Sequence, residues 1–165
     1  MGEDSDFEHF FAHEYRAVVG LAFVLCGRLD GAEDLAQDAF AAAYRDWTRV
    51  GSYDDPGAWV RRAVMNRAVS LRRRHSNEAR ALTRLSARRT FSEETPFADT
   101  AMWKAIGSLP RRQAQVIALV YLEDRSLAQA AAIIGCAEET AKTHLRRAKT
   151  SLAKRLEVHE MEESP

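Results

Sequence analysis

The sequence is poor in the residues that build covalent, metallic or catalytic frameworks. Its 165 residues include 2 cysteines. Cys26 and Cys136 are far apart and form no Cys-x-x-Cys pair, which argues against a disulfide scaffold and a cysteine-rich zinc site. No apolar run approaches the roughly 20 residues of a membrane-spanning helix. The acidic opening MGEDSDFEHF lacks the pattern of a secretory leader. The expectation is a soluble protein of a reducing cytoplasm. The five histidines, His9, His13, His75, His144 and His159, are scattered. His9 and His13 have the i,i+4 spacing of a metal pair, but no third ligand stands near them. There is no phosphate-binding P-loop, no Gly-x-Ser-x-Gly elbow and no dinucleotide fingerprint. No enzyme activity, cofactor or metal is therefore expected.

Hydrophobic residues make up 46% of the chain and charged residues 29%, a globular composition. The formal net charge is +0, from 24 basic and 24 acidic residues, but the two signs are segregated. Residues 1–40 carry nine acids against Arg16 and Arg28. Residues 61–90 carry ten arginines against Glu78. Residues 138–156 hold six basic side chains against Glu138 and Glu139, and the tail 157–165 has four glutamates and no lysine or arginine. Blocks of opposite sign call for partners of opposite sign. For any one block, a solvated helix face is the plainer reading.

No segment sustains a period-two alternation, so the chain reads as all-α. Phe7, Phe10, Phe11, Val18, Ala22 and Leu25 recur at helical spacing and predict a helix over 7–26 that stops at Gly27. A second helix is expected over about 32–47. Asp30 is its N-cap, and Ala32, Leu35, Ala39, Phe40, Ala43, Tyr44 and Trp47 form its apolar stripe. Asp34, Gln37, Asp38 and Arg45 fall on its other face. Residues 48–57 have turn chemistry. Asp55-Pro56 then opens a helix that runs into the seventies. Val60, Ala63, Val64, Ala68 and Leu71 point inward, while Arg61, Arg62, Asn66, Arg72, Arg73 and Arg74 face out. Residues 75–98 are polar and read as a flexible, partly helical linker. Asp99 caps a short helix containing Met102, Trp103 and Ile106. Leu109-Pro110 opens another with Val116, Ile117 and Val120 inward. Two small helical domains result: 1–74 and 99–158, joined by 75–98 and followed by an acidic tail, 159–165.

Residues 126–148 carry the strongest local signal. Ser126 caps a helix of Leu127, Ala130, Ala131 and Ile134. Gly135 permits a left-handed turn, Cys136 fills an apolar slot, and a basic helix begins near Glu138. This is a helix-turn-helix. Small Ala131 lets the two helices cross closely, and Ala141 and Leu145 face back into the domain. Thr140, Lys142, Thr143, Arg146 and Arg147 are left outward, where hydroxyls and cations suit phosphates and base edges. Glu138 and Glu139 favour the helix start through its dipole. The second signal is the arginine-rich helix after Trp59. It sets Arg61, Arg62 and Asn66 beside a loop holding Tyr53 and Asp54. Cations attract a nucleic-acid backbone, and adjacent aromatic and polar groups stack on and read unpaired bases. Core packing is the plainer reading of Trp59.

These elements in this order resemble an extracytoplasmic-function (ECF) RNA polymerase sigma factor. The likeness covers residues 7–74 and 99–156. GAEDLAQDAFAAAYRDW resembles the family's core-binding helix, and AWVRRAVMNRAVSLRRR its promoter −10 helix. LPRRQAQVIALVYLEDRSLAQAAAIIGCAEETAKTHLRRAKTSL resembles its −35 helix-turn-helix domain. The resemblance implies that Asp34, Gln37 and Asp38 dock on the clamp helices of the polymerase largest subunit. It implies that Asn66, with Ser52, Tyr53 and Asp54, holds a flipped-out non-template base, consistent with a pocket beside a cationic surface. Lys142, Thr143, Arg146 and Arg147 match positions that contact the −35 element. Contact with the polymerase flap, promoter DNA and an anti-sigma partner is implied in the same way. Ala137 stands where the family often has serine, Ala141 where valine is usual, His144 where arginine is usual, and Ser70 where aspartate is frequent. Two rival readings remain at this point. One is a stand-alone helix-turn-helix regulator that dimerises on paired half-sites. The other is a sigma-like decoy that only sequesters a partner.

Overall fold

The computed structural model of the protein describes residues 2–82 and 100–163, and every regular element among them is helical. The chain divides into two compact units, Met1–Thr90 and Phe91–Pro165. Asp99 and residues 83–98 of the expected linker lie outside the described residues, as does the side chain of Trp103.

In the first unit, α1 spans Gly2–Cys26 and α2 spans Leu29–Arg45. A single-turn α3 covers Trp47–Val50, and α4 covers Pro56–Leu82. Helix α1 starts earlier than its apolar pattern predicts, and Asp4 and Asp6 near its start favour the positive end of the helix dipole. Its second half is buried on every side: Val18 to Leu25 are all inaccessible. A helix apolar all round belongs in the centre of a core, and α1 packs against both α2 and α4. Alanines at 32, 36, 39 and 43 line the buried face of α2 and let its backbone come close to α1.

Two expectations for α2 are corrected. Asp30 is not the N-cap, because the helix already begins at Leu29, with Arg28 at the cap. Asp30 instead accepts hydrogen bonds from Arg28 Nε at 3.1 Å and Nη2 at 2.6 Å, and from the Gly31 amide at 2.8 Å. Trp47 belongs to α3, where it packs edge-on to Phe7 with ring centroids 5.1 Å apart and lies 4.9 Å from Phe10.

Phe40 is the hub of an aromatic cluster joining α1 to α2, with the rings of Phe10, Phe11 and Tyr15 4.9–6.0 Å away. It is 2% exposed. Replacing it with alanine removes the transfer energy of the ring and leaves a cavity among rigid neighbours. Phe40→Ala is expected to cost about 3–5 kcal/mol, read as a lowered midpoint in denaturant unfolding.

Helix α4 extends beyond the seventies because no glycine or proline interrupts residues 58–95. It thus runs through the first residues of the stretch expected to be a partly helical linker. Asp55 Oδ1 accepts the Ala58 amide at 2.9 Å, which confirms the Asp-Pro start. Val60, Val64 and Ala68 are buried as expected, but Leu71 is exposed.

The second unit comprises α5 (Thr100–Gly107), α6 (Arg111–Ile117), α7 (Leu127–Ile134) and α8 (Glu138–Glu163). Helix α6 widens into a π-helical turn over Ala118–Leu122, a feature without a sequence signature. Helix α8 continues into the acidic tail, so the boundary expected near 158 is not a helix end.

Candidate functional site

The helix-turn-helix forms as its local chemistry dictates. Ser126 Oγ accepts the Gln129 amide at 3.1 Å, and Gln129 Oε1 accepts the Ser126 amide at 2.9 Å. This is a reciprocal capping box that satisfies two otherwise unpaired donors. At the other end of α7, Gly135 has φ 79°, a left-handed conformation that a side chain makes costly. The amides of Gly135 and Cys136 both return to the Ala131 carbonyl, at 2.9 and 3.1 Å. Arg112 Nη1 reaches across from α6 to the Ile134 carbonyl at 3.0 Å and satisfies another of the last acceptors of α7. Ala131 is 3% exposed.

On α8, Ala141, Ala148 and Leu152 are buried. At about 100° per residue, Thr140, Lys142, Thr143, Arg146 and Arg147 occupy the opposite side of the helix. Thr140, Lys142, Arg146 and Arg147 are exposed and Thr143 is half-buried. The Thr143 hydroxyl donates to the Glu139 carbonyl at 3.0 Å, so only its lone pairs and methyl group face outward. Glu138 and Glu139 are exposed at the helix start, and Lys142 lies 3.9 Å from Glu139.

In the first unit, Ser52, Tyr53 and Asp54 are all exposed in the loop between α3 and α4. Ser52 Oγ donates to the Arg49 carbonyl at 2.7 Å, and the Tyr53 amide donates to the Val50 carbonyl at 3.2 Å. Tyr53 keeps 39% of its surface open to solvent. On α4 the helical period places Trp59, Arg62, Asn66 and Ser70 on one face. Arg62 and Asn66 are exposed and Trp59 is half-buried.

Arg61 is the residue whose placement departs most from expectation. It was expected to face outward, toward nucleic acid, yet it is 2% exposed. Its Nη1 donates to Glu14 Oε2 of α1 at 2.6 Å and to the Gly57 carbonyl at 3.1 Å. Burial alone raises the pKa of the Glu14 carboxyl. The hydrogen bond and charge of Arg61, with a smaller contribution from His13, outweigh burial and hold it below the ordinary value. A lowered carboxylate pKa stabilises the fold above the unfolded-state pKa, and that contribution disappears as pH falls through the lowered folded value. The stability lead of the native protein over Glu14→Gln is therefore expected to be full at pH 7. It shrinks as pH falls below the ordinary glutamate value of 4.5. Thermal unfolding of both proteins between neutral and acid pH checks this.

Asp34, Gln37 and Asp38 are all exposed on α2, opposite its alanine-lined face. Tyr44, expected in the apolar stripe, is instead 52% exposed. It lies seven residues after Gln37 and so along the same line of the helix. Its hydroxyl donates to Asp4 Oδ1 of α1 at 3.1 Å. Among the described residues no cluster of His, Cys, Asp or Glu is arranged to hold a metal, and no helix is long and apolar enough to cross a membrane. Cys26 is half-buried with its thiol donating to the Arg28 carbonyl at 3.1 Å, and burial pushes its pKa up.

Residues 10–78 match the family described as Sigma-70 region 2, and residues 99–152 match Sigma-70, region 4. The chain belongs to the ECF branch of the sigma-70 family. Across 161 residues it is 30% identical to the ECF RNA polymerase sigma factor SigM of Mycobacterium tuberculosis, covering 94% of this chain and 79% of SigM. Across 132 residues it is 28% identical to the RNA polymerase sigma-E factor of Streptomyces antibioticus, covering 79% of this chain and 73% of that one. Among solved structures it resembles the sigma factor RpoE of Bartonella quintana, crystallised with the anti-sigma factor NepR. The TM-score is 0.77 at 26% identity, over 93% of this chain and 98% of RpoE. CnrH, solved with the cytosolic domain of CnrY, shares the fold at a TM-score of 0.68 and 21% identity, over 95% of this chain and 91% of CnrH. As a sigma factor, the protein binds core RNA polymerase and promoter DNA and directs transcription initiation. The stand-alone regulator, which leaves the first unit without a role, is set aside.

Proposed function

We propose that this ECF sigma factor divides its work between its two units along the surfaces described above. The exposed line of Asp34, Gln37 and Asp38 on α2, extended by Tyr44, docks on the clamp helices of the largest polymerase subunit. The Ser52–Asp54 loop, with Arg62 and Asn66 of α4, takes an unpaired base of the −10 element. Thr140, Lys142, Thr143, Arg146 and Arg147 of α8 contact the −35 element, and the same unit meets the flap. Residues 1–74 and 99–158 act as the two functional domains, the chain between them spans the two DNA elements, and the acidic residues of 159–165 follow. The observation that carries this reading is that Tyr53, Arg62 and Asn66 are exposed, while Val60, Arg61, Val64, Met65 and Ala68 of α4 are buried.

The protein works in the cytoplasm with core polymerase, and it supplies recognition, not catalysis. The complex of RpoE with the anti-sigma factor NepR supports an anti-sigma partner here too. Such a partner covers the polymerase and DNA surfaces until it is released.

Photo-crosslinking tests the three assignments together. A photoreactive side chain at Ala41, at Ser52 or at Thr140 is introduced into the protein bound to core polymerase on a promoter recovered by start-site mapping. The expected products are the largest subunit from position 41, the −10 non-template strand from 52 and the −35 duplex from 140. A different partner at any position removes that assignment.

A further inference from the structure

The buried Arg61 lies behind the loop assigned to the −10 base. Its guanidinium joins α1, through Glu14, to the first turn of α4, through the Gly57 carbonyl. The packing around Gly57 is tight. A Cβ at that position would lie 2.8 Å from Arg61 Nη1, 3.0 Å from Glu14 Oε2 and 3.2 Å from Asp55 Oδ1. Groups of both signs, from α1, from α4 and from the last residue of the loop, thus converge on Gly57, and a side chain there would have to displace the ends of the side chains around it. The other end of the loop is held to α3 by the Ser52 hydroxyl and the Tyr53 amide. Between these two anchors Tyr53 and Asp54 are exposed.

We propose that Arg61 is a positioning residue for −10 recognition. With Glu14 and Gly57 it locks the start of α4, and with it the Ser52–Asp54 loop, onto α1. The inference rests on the assignment of that loop to the −10 base. Arg61 itself touches no DNA. Its effect passes through the geometry of the loop, and a small misplacement at a recognition site is enough to lose selectivity. Both bonds come from the single Nη1 nitrogen, so a lysine ammonium, with its charge and three donors, retains part of the contact.

The test uses the full-length protein bound to core polymerase. It is offered a pool of fork DNA whose single-stranded non-template strand is randomised over the −10 positions, behind a duplex randomised at −35. Captured DNA is sequenced. In the native protein one −10 position is enriched for one base, and Tyr53→Ala abolishes that enrichment. If no position depends on Tyr53, the loop assignment falls and this inference with it. Given that position, Arg61→Met is expected to reduce its enrichment roughly tenfold or more, Arg61→Lys by less, and neither changes enrichment at −35. A role confined to stability lowers capture of every sequence together and leaves relative enrichment intact. That outcome, with the Tyr53-dependent position still present, overturns the positioning role alone. If Arg61→Met fails to bind core polymerase, Gly57→Ala decides the matter. It displaces the guanidinium while keeping every charge, and unchanged enrichment at the Tyr53-dependent position in that variant also overturns the proposal.

Discussion

Asp34→Arg combined with Asp38→Arg is expected to weaken association with core RNA polymerase by roughly 100-fold or more, while the helical content of the protein stays the same. Both aspartates are exposed, one turn apart, on the face of α2 turned away from α1. Neither takes part in the alanine-lined packing of Ala32, Ala36, Ala39 and Ala43, so the substitutions leave the core untouched. A charge reversal does more than delete an attraction. On the proposed docking surface it sets like charges against the partner in place of opposite ones, and it slows an electrostatically steered encounter. The loss is greatest at low ionic strength, where screening is weakest. Titration of labelled protein with core polymerase measures the affinity, and far-ultraviolet circular dichroism checks the fold. Unchanged affinity would remove both aspartates from the interface.

The second large effect is expected at α8. Arg146→Ala or Arg147→Ala lowers −35-dependent transcription by roughly 5- to 150-fold where the lost arginine makes a bidentate base contact, equivalent to about 1–3 kcal/mol. Such a loss relaxes base preference at one −35 position. An arginine that contacts only phosphate behaves differently. Its removal weakens binding to all sequences alike and reduces the slope of log affinity against log salt by about one. Selection from a −35 library with each variant, repeated across a salt series, distinguishes the two roles. Both side chains are exposed on the side of α8 opposite buried Ala141 and Ala148, so neither substitution disturbs the packing of α7 on α8.

Most of the second unit was legible because its instructions are local. Ser126 with Gln129, and Gly135 at the end of α7, act within four residues of themselves, and a one-dimensional pattern records such contacts. The π-helical turn over Ala118–Leu122 has no such marker. In the first unit the misreadings share a different cause. The charge of Arg61 points it outward, yet Arg61, Val64, Met65 and Ala68 fall at i, i+3, i+4 and i+7, the spacing of a buried face. The periodicity was visible. The partner that makes its burial tolerable, Glu14, is 47 residues away in the sequence, and no local pattern connects them. A buried arginine without such a carboxylate would be prohibitively costly, so charge alone argued for solvent. Tyr44 shows the converse. It lies at the edge of the apolar stripe, where its ring meets Phe7, with centroids 4.9 Å apart, while its hydroxyl reaches Asp4 near the start of α1. An amphipathic ring serves both sides of such a boundary.

As a sigma factor, this protein is expected to direct initiation from promoters with their own −35 and −10 elements. Transcription in vitro with purified core polymerase, with and without the protein, on pooled genomic fragments tests it most directly, by sequencing RNA 5′ ends. New start sites that share a −35 and a −10 sequence are expected, and they are lost with Asp34→Arg plus Asp38→Arg. Binding to core polymerase with no new starts would contradict this and favour the sigma-like decoy.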